Sequence, residues 1–255
     1  MPKSVSDVLK NLDYLAGDFN QKAEAKAAGD KRVAAALEAA AQTIKDLQQQ
    51  VNTLQLASLK QENVKGKDFT FLIDGSGSMG TGRGSSTPLK ESLESATAFS
   101  KATEANVTVG LWGDSDTPVI VVNDANLKAV EKGLNCGTNF LPAAGYMQAA
   151  AAATKKAQHF VIFSDGDAFD QKASLEKLQQ MLKASPKASV DFALLTNNNG
   201  SNMEKLAGVL QKEFPQQVGI YHVTAGGSLS ETLKIIAAKR TQPAKAKKSS
   251  QPKVK

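Results

Sequence analysis

Three side chains that could bind one metal ion lie at alternate positions in a short segment of this chain. Asp74, Ser76 and Ser78 are separated by Gly75 and Gly77, and glycine lets the backbone turn sharply enough for the three to converge. One carboxylate and two hydroxyls are hard oxygen ligands, which suit Mg²⁺ or Mn²⁺ and suit Zn²⁺ or Cu²⁺ poorly. The spacing therefore predicts a divalent-cation site.

Two apolar runs predict the buried strands that would carry this site. Residues 69–73 run directly into Asp74, and residues 159–163 lead to Asp165. Ligands of an open parallel sheet sit beyond the carboxyl ends of its strands, so we expect the two aspartates to face the same crevice. Residues 135–138 (Asn-Cys-Gly-Thr) form a loop between the two runs, ahead of a helical segment.

Asp74, Ser76 and Ser78, followed by Thr138 and Asp165, resemble the metal-ion-dependent adhesion site of the von Willebrand factor A family in order and approximate spacing. The resemblance covers roughly residues 67 to 225. It implies that Ser76, Ser78 and Thr138 supply hydroxyl ligands to Mg²⁺ or Mn²⁺, and that Asp74 and Asp165 contact the metal directly or through water. In that family an acidic residue of a partner protein completes the coordination, and the resemblance implies such a partner here.

The order of predicted elements agrees with the fold that the resemblance implies, an α/β fold built on a doubly wound, mostly parallel six-stranded sheet. Strands are predicted at 69–73, 107–112, 159–163, 189–195 and 218–223, with a short antiparallel edge strand within 117–122. Helices are predicted at 88–105, 125–133, 141–156, 171–184, 203–214 and 229–238.

The first 62 residues have a different pattern and form a separate predicted unit. Apolar residues recur every three or four positions from Val5 to Phe19 and from Val33 to Leu54, which predicts an antiparallel helical hairpin over about 5–27 and 31–61. Two interpretations remain: the hairpin packs on itself or on the sheet domain, or residues 31–61 form a coiled-coil contact that makes a homo-oligomer. We assign 1–62 to the hairpin, 63–67 to a linker, 68–240 to the sheet domain and 241–255 to a tail.

The net charge of +6 comes from the end of the chain, because seven basic residues and no acids lie between 239 and 255. Without these seven, 24 basic and 25 acidic residues remain. The proline- and serine-containing tail is predicted to be disordered, and since no aromatic residue interleaves its lysines, base stacking has no support and only weak contact with nucleic acid is expected.

Composition also indicates the compartment. Cys136 is the single cysteine, so no intramolecular disulfide can form, and we interpret it as a small buried apolar residue. No stretch is long and apolar enough for a membrane span, and the first residues lack the apolar region of a signal peptide. These features predict a cytoplasmic protein without a membrane span.

Residues 75–80 also fit the dinucleotide-binding pattern G-x-G-x-x-G. That pattern requires a helix that opens within the glycines, and the sequence instead predicts that the helix begins at Pro88. We therefore favour the metal site and predict no nucleotide cofactor.

The residues give little support for catalysis. His159 and His222 are predicted to lie within strands and away from the carboxyl-end crevice, so a serine nucleophile lacks a base and zinc lacks ligands. Asp167 and Asp170 are interpreted as solvated loop residues. No catalytic residue is predicted, although a metal-dependent hydrolase or phosphatase using Asp74 and Asp165 stays open as an alternative.

The function predicted from the resemblance is that of an intracellular interaction module, an adaptor or assembly factor in a multiprotein complex. Members of the intracellular branch of the family work with partners that include AAA+ ATPases. The other alternative is a structural, self-assembling protein that is organised by the helical hairpin, in which the metal site only stabilises the fold.

Overall fold

The structure is a computed structural model. It describes residues 39–40, 42–43, 64–80, 87–114, 116, 118–123, 125–126, 128, 137–195, 201–223 and 229–241. Apart from four helical residues at 39, 40, 42 and 43, the predicted N-terminal hairpin lies outside the described residues, as do Cys136, the tail beyond residue 241 and most of the predicted helix at 125–133.

The described residues form six strands and six helices. In chain order they are β1 (Asp68–Asp74), α1 (Gly77–Gly80), α2 (Pro88–Thr103), β2 (Asn106–Trp112), β3 (Ile120–Val121), α3 (Leu141–Ala152), β4 (Gln158–Ser164), α4 (Gln171–Ala184), β5 (Ala188–Leu194), α5 (Asn202–Glu213), β6 (Val218–His222) and α6 (Leu229–Thr241).

The strands make one sheet in the order β3-β2-β1-β4-β5-β6, in which every pairing is parallel except that of β2 with β3. The predicted α/β class, the six strands and the short antiparallel edge strand are therefore confirmed. β1 and β4 are neighbours at the centre of the sheet, with Ile73 opposite Phe163. Because parallel strands end at the same edge, the loops that follow β1 and β4 emerge side by side.

Helices cover both faces of the sheet, which explains why the central strands are apolar along their whole length. Apolar residues of α3, α4 and α5 pack with Leu72 and Ile162 on one face. Those of α2 and α6 pack with Phe71, Ile73 and Phe163 on the other. Alternate residues of β1 and β4 thus enter opposite halves of the core, which fixes the strand register and the direction in which each strand end leaves the sheet.

Helix α3 is shorter than its composition predicts, since it ends at Ala152 rather than at residue 156. Alanine has the highest helix propensity, and the alanine-rich run gives no stop signal of its own. The hydroxyl of Thr154 accepts a hydrogen bond from the backbone N–H of Lys156 at 3.1 Å, which favours a turn over a further helical turn.

Two of the seven basic residues near the end of the chain, Lys239 and Arg240, lie in a helix of the described domain. Helix α6 continues to Thr241, and Arg240 is buried within it against Asp191. Five basic residues remain beyond 241, so the rest of the chain has 26 basic and 25 acidic residues and a net charge of +1. A buried arginine cannot be recognised from a run of basic residues, because its partner lies 49 positions earlier in the sequence.

Among the described residues, no helix has the combination of length and apolar content that crossing a membrane requires.

Candidate metal centre

Asp74 is the last residue of β1 and is fully buried. Its Oδ1 accepts a hydrogen bond from the backbone N–H of Ser76 at 2.9 Å, and its Oδ2 accepts one from the hydroxyl of Ser164, the last residue of β4, at 2.9 Å. The carboxylate therefore joins the ends of the two central strands. The N–H of Gly75 donates to the carbonyl of Trp112 at 2.7 Å, which fixes the backbone immediately after Asp74.

Burial raises the pKa of the Asp74 carboxyl to about 7. The hydrogen bonds from Ser76 and Ser164 lower this pKa, and the negative charge of Asp165 raises it further. No lysine or arginine of the described residues is among the groups that shift it. A buried carboxylate with a negative neighbour and no cation among the described residues that shift its pKa is electrostatically unfavourable, so the site fits a bound divalent cation, which would favour the ionised state of both acids.

Ser76 and Ser78 lie side by side at the start of α1, with their Oγ atoms 3.1 Å apart. Ser76 is buried, whereas Ser78 is exposed. The pair therefore provides one hydroxyl beside the buried carboxylate and a second one at the surface. The structure brings Asp74, Ser76 and Ser78 together as the spacing predicts.

The long helix begins at Pro88 as predicted, and a short helical turn that was not predicted lies within the glycine motif. Residues Gly77–Gly80 form a single helical turn, α1, which is followed by the long helix α2 from Pro88. The turn forms because the N–H of Met79 donates to the carbonyl of Ser76 at 3.1 Å and the Met79 side chain is fully buried. A single turn has few aligned peptide dipoles, so it does not restore the helix that a dinucleotide pyrophosphate requires.

Thr138 lies just ahead of α3 and is buried. Its carbonyl accepts a hydrogen bond from the N–H of Phe169 at 3.0 Å, and the N–H of the next residue, Asn139, donates to the carbonyl of Gly113 at 2.6 Å. The Thr138 loop is thereby joined to the loop that follows β4 and to the segment that follows β2. These backbone hydrogen bonds hold Thr138 at this edge of the sheet.

Asp165 follows β4 and is half-buried. Its charge acts on Asp74, which agrees with the expectation that both acids face the same crevice. The neighbouring Gly166 has φ of 119°, a conformation that other residues rarely adopt, and its N–H donates to the Ser164 hydroxyl at 3.1 Å. Glycine is therefore required where the chain turns away from the acid.

The described residues contain no group of three or more His, Cys, Asp or Glu side chains placed to hold a metal. Hydroxyl ligands fall outside that class, and the predicted set contains two carboxylates and three hydroxyls. Such a set would suit a hard cation and would not suit Zn²⁺.

Two residues of this region were not assigned a role from the sequence. Ser164 donates to Asp74, and Asp170, which was predicted to be a solvated loop residue, instead binds the start of α3. Its Oδ1 accepts from the N–H of Phe140 at 2.7 Å, and its Oδ2 accepts from that of Leu141 at 2.6 Å. No local sequence signal pointed to these bonds, because Asp170 lies 30 and 29 positions from the two donors.

The histidine placements are partly corrected. His159 is buried at the start of β4, where its Nδ1 lies 2.9 Å from the Ser189 hydroxyl, as expected for a structural residue. His222 lies in β6 as predicted, but it is the last residue of that strand, and its Nε2 lies 3.4 Å from Glu204. It is at the carboxyl edge of the sheet, but β5 separates β6 from β4.

The chain matches no protein-family model and no curated protein. Among solved structures it is similar to the human COPII-coat protein Sec24c, with a TM-score of 0.37 and 13% identity over 69% of this chain and 32% of that one. It is also similar to a family two carbohydrate esterase from Cellvibrio japonicus, with a TM-score of 0.36 and 13% identity over 69% of this chain and 63% of that one. The chain spans less than two thirds of either structure, and at these scores the likeness carries no conclusion about activity or partners.

Proposed function

We propose that this chain is a protein-interaction module of the intracellular von Willebrand factor A type, which binds an acidic residue of a partner protein through Mg²⁺ or Mn²⁺. The observation that carries the proposal is the meeting of a buried carboxylate, two adjacent serine hydroxyls and a second acid at the ends of neighbouring central strands. The residues that would hold the cation are Asp74, Ser76, Ser78, Thr138 and Asp165.

The residues of the candidate site have separate roles in this proposal. Asp74 supplies the buried negative charge, and the hydrogen bonds from Ser76 and Ser164 hold its carboxylate in one orientation. Ser78 lies at the exposed end of the pair, where a partner can reach. A bound cation with few anionic protein ligands stays electrophilic and attracts a carboxylate of the partner. The module would thus serve as an adaptor or assembly factor.

Thermal unfolding in Mg²⁺, in Mn²⁺ and in EDTA tests the cation site. A ligand that binds only the folded state adds about 2.7 kcal/mol at roughly a hundredfold excess over its Kd. We expect both metals to raise the midpoint of the intact chain, and we expect Asp74→Ala and Asp165→Ala to abolish the rise. Asp167→Ala is the matched control, since Asp167 is an exposed acid of the same loop outside the ligand set.

A midpoint that is the same in metal and in EDTA for the intact chain would overturn the proposed cation site. Ser78→Ala protects the test against a variant that fails to fold, because Ser78 is exposed and its loss removes one ligand with little effect on the core. Sedimentation of the intact chain in both buffers addresses the self-assembly alternative, in which the particle mass would exceed that of one chain and be independent of metal.

A further inference from the structure

Phe169 is the exposed member of the described phenylalanines. Its side chain is 74% exposed, whereas seven others are at most 1% exposed and Phe214 is half-buried. Phe169 lies in the loop after β4, between the candidate ligand Asp165 and the capping residue Asp170. A large aromatic surface is therefore presented to solvent at the rim of the candidate metal centre.

The backbone at Phe169 is held on both sides, although its side chain is in solvent. The N–H of Phe169 donates to the carbonyl of Thr138 at 3.0 Å, which places it one hydrogen bond from another candidate ligand. The preceding residue, Ala168, is fully buried in the core, and the following residue, Asp170, binds the start of α3 through its carboxylate. A partner that contacts this ring would therefore lose less affinity to loop ordering than it would on a mobile loop.

The charge around Phe169 determines which partner fits. Residues 164–170 contain three aspartates and no basic residue, so this loop presents negative charge to a carboxylate that approaches without a cation. A cation would reverse this effect for any carboxylate and would not distinguish one acidic residue from another. An apolar contact beside the cation supplies that distinction, and aromatic residues are frequent centres of binding energy at interfaces.

We infer that Phe169 and the candidate metal centre form one two-part recognition site, and that the partner segment carries an acidic residue with a large apolar residue as its near neighbour in sequence. The inference rests on the proposed function, because the cation is what binds the acidic residue of the partner. Phe169 contributes the apolar half and the selection among acidic segments.

The test uses three acetylated, amidated tripeptides: leucine-glutamate-leucine, glycine-glutamate-glycine and leucine-glutamine-leucine. Each is titrated in Mg²⁺ and in EDTA into the full chain, the Phe169→Ala variant and the Ile235→Ala variant, and Kd is measured by nuclear magnetic resonance chemical shifts. Ile235 is the matched control, since it is a 53% exposed apolar residue on α6, which packs on the face of the sheet opposite to α3 and Ala168.

In Mg²⁺ we expect the full chain to bind the leucine-flanked glutamate peptide about tenfold more tightly than the glycine-flanked one, as burial of roughly 50 Å² of apolar surface implies. We expect Phe169→Ala to reduce that preference to less than about twofold and Ile235→Ala to retain it. The glutamine peptide should bind at least about tenfold more weakly than its glutamate counterpart.

Equal affinity for the two glutamate peptides, or an unchanged preference in Phe169→Ala, would overturn the inference while Mg²⁺-dependent binding of both kept the proposed function. If neither glutamate peptide bound in Mg²⁺, both the inference and the proposed function would fail. Binding of the leucine peptides that was equal in Mg²⁺ and EDTA would show an apolar patch alone and would likewise contradict a two-part site.

Discussion

At the scale of single residues, Asp170 shows how one carboxylate orders two loops. It accepts backbone hydrogen bonds from Phe140 and Leu141 at the start of α3, and it belongs to the loop that carries Asp165. A carboxylate at a helix N-terminus also interacts favourably with the partial positive charge of the free N–H groups. Asp170 therefore acts as a positioning residue for the loop that carries Thr138.

We expect Asp170→Ala to lower the free energy of unfolding by about 1 to 2 kcal/mol, because it leaves two N–H groups of α3 without their acceptor. Asp167→Ala, which removes an exposed acid from the same loop, should change it by less than about 0.5 kcal/mol. Urea unfolding in EDTA measures both. A loss in Asp170→Ala no greater than that in the control would show that the two hydrogen bonds contribute nothing.

At the scale of the elements, β5, β6 and α6 are held together by a buried ion pair. The Arg240 guanidinium donates to both carboxylate oxygens of Asp191, at 2.7 Å and 2.6 Å, and to the carbonyls of Gln216 and Gln217. Burial raises the pKa of Asp191, and the guanidinium opposes that shift. The planar guanidinium of arginine donates to the Asp191 carboxylate and to the two backbone carbonyls before β6 at the same time. The single ammonium group of lysine could not do this.

The ion pair between Asp191 and Arg240 leaves no room for a side chain at Gly219 of β6. A Cβ there would overlap the Asp191 carboxylate and lie 2.7 Å from Cε2 of Tyr221. Asp191 cannot move aside, because Arg240 fixes both of its oxygens. Gly208 of α5 is the opposite case, since a Cβ there would meet no atom within 4 Å.

We expect Gly219→Ala to destabilise the fold by about 2 kcal/mol through overpacking. The same substitution at Gly208 should stabilise it by about 0.5 to 1 kcal/mol, because alanine restricts the unfolded chain and favours the helix. Urea unfolding of the two variants provides the comparison. If Gly219→Ala were as stable as the intact chain, the close packing of β6 on Asp191 would be contradicted.

The elements that the sequence predicts well are those whose signal lies within one short segment. The apolar run 159–163 gave β4, and helix α4 has the predicted bounds. The contacts that join elements were not predictable, since Asp170 binds 30 and 29 positions away and Arg240 binds 49 positions away. Asp191 is the clearest case: within an apolar strand it gives no sign of its partner, because a charge in such a strand becomes favourable only when the fold supplies the opposite charge.

At the scale of the whole molecule, the candidate site is also predictable only where its contacts lie within one segment of the chain. The order of Asp74, Ser76 and Ser78 predicts their convergence because it depends on a few neighbouring bonds, and the parallel sheet explains why Asp165 acts on Asp74. The contribution of Ser164 and the route by which Thr138 reaches this edge depend on the register of β1 with β4 and on loop contacts. Neither is encoded within one segment.

Global stability should also depend on pH through a residue far from the site. Burial lowers the pKa of His159 from 6.5 to about 4, with smaller contributions in the same direction from Arg240 and Lys67 and an opposite one from Asp68. Between these pKa values the unfolded chain binds a proton that the folded chain does not. The stability due to neutral His159 is therefore fully present above pH 6.5 and is lost as pH falls towards 4.

Asp74 acts in the opposite sense over an overlapping range, because its pKa is raised in the folded metal-free chain. A pH profile of the intact chain alone would therefore combine two opposing effects. Comparison with His159→Gln isolates the histidine, since the variant retains Asp74 and a side chain that can hydrogen bond to Ser189.

We expect acidification from pH 7.5 to 4.5 to reduce the free energy of unfolding of the intact chain by about 2 to 3 kcal/mol more than that of His159→Gln. The measurement is urea unfolding of both proteins in EDTA at the two pH values. The physical reason is that the buried imidazole is poorly solvated, so its charged form is less favourable in the folded chain than in the unfolded chain. Parallel pH dependences would contradict a neutral, buried His159, and a smaller loss in the intact chain would reverse the predicted sign.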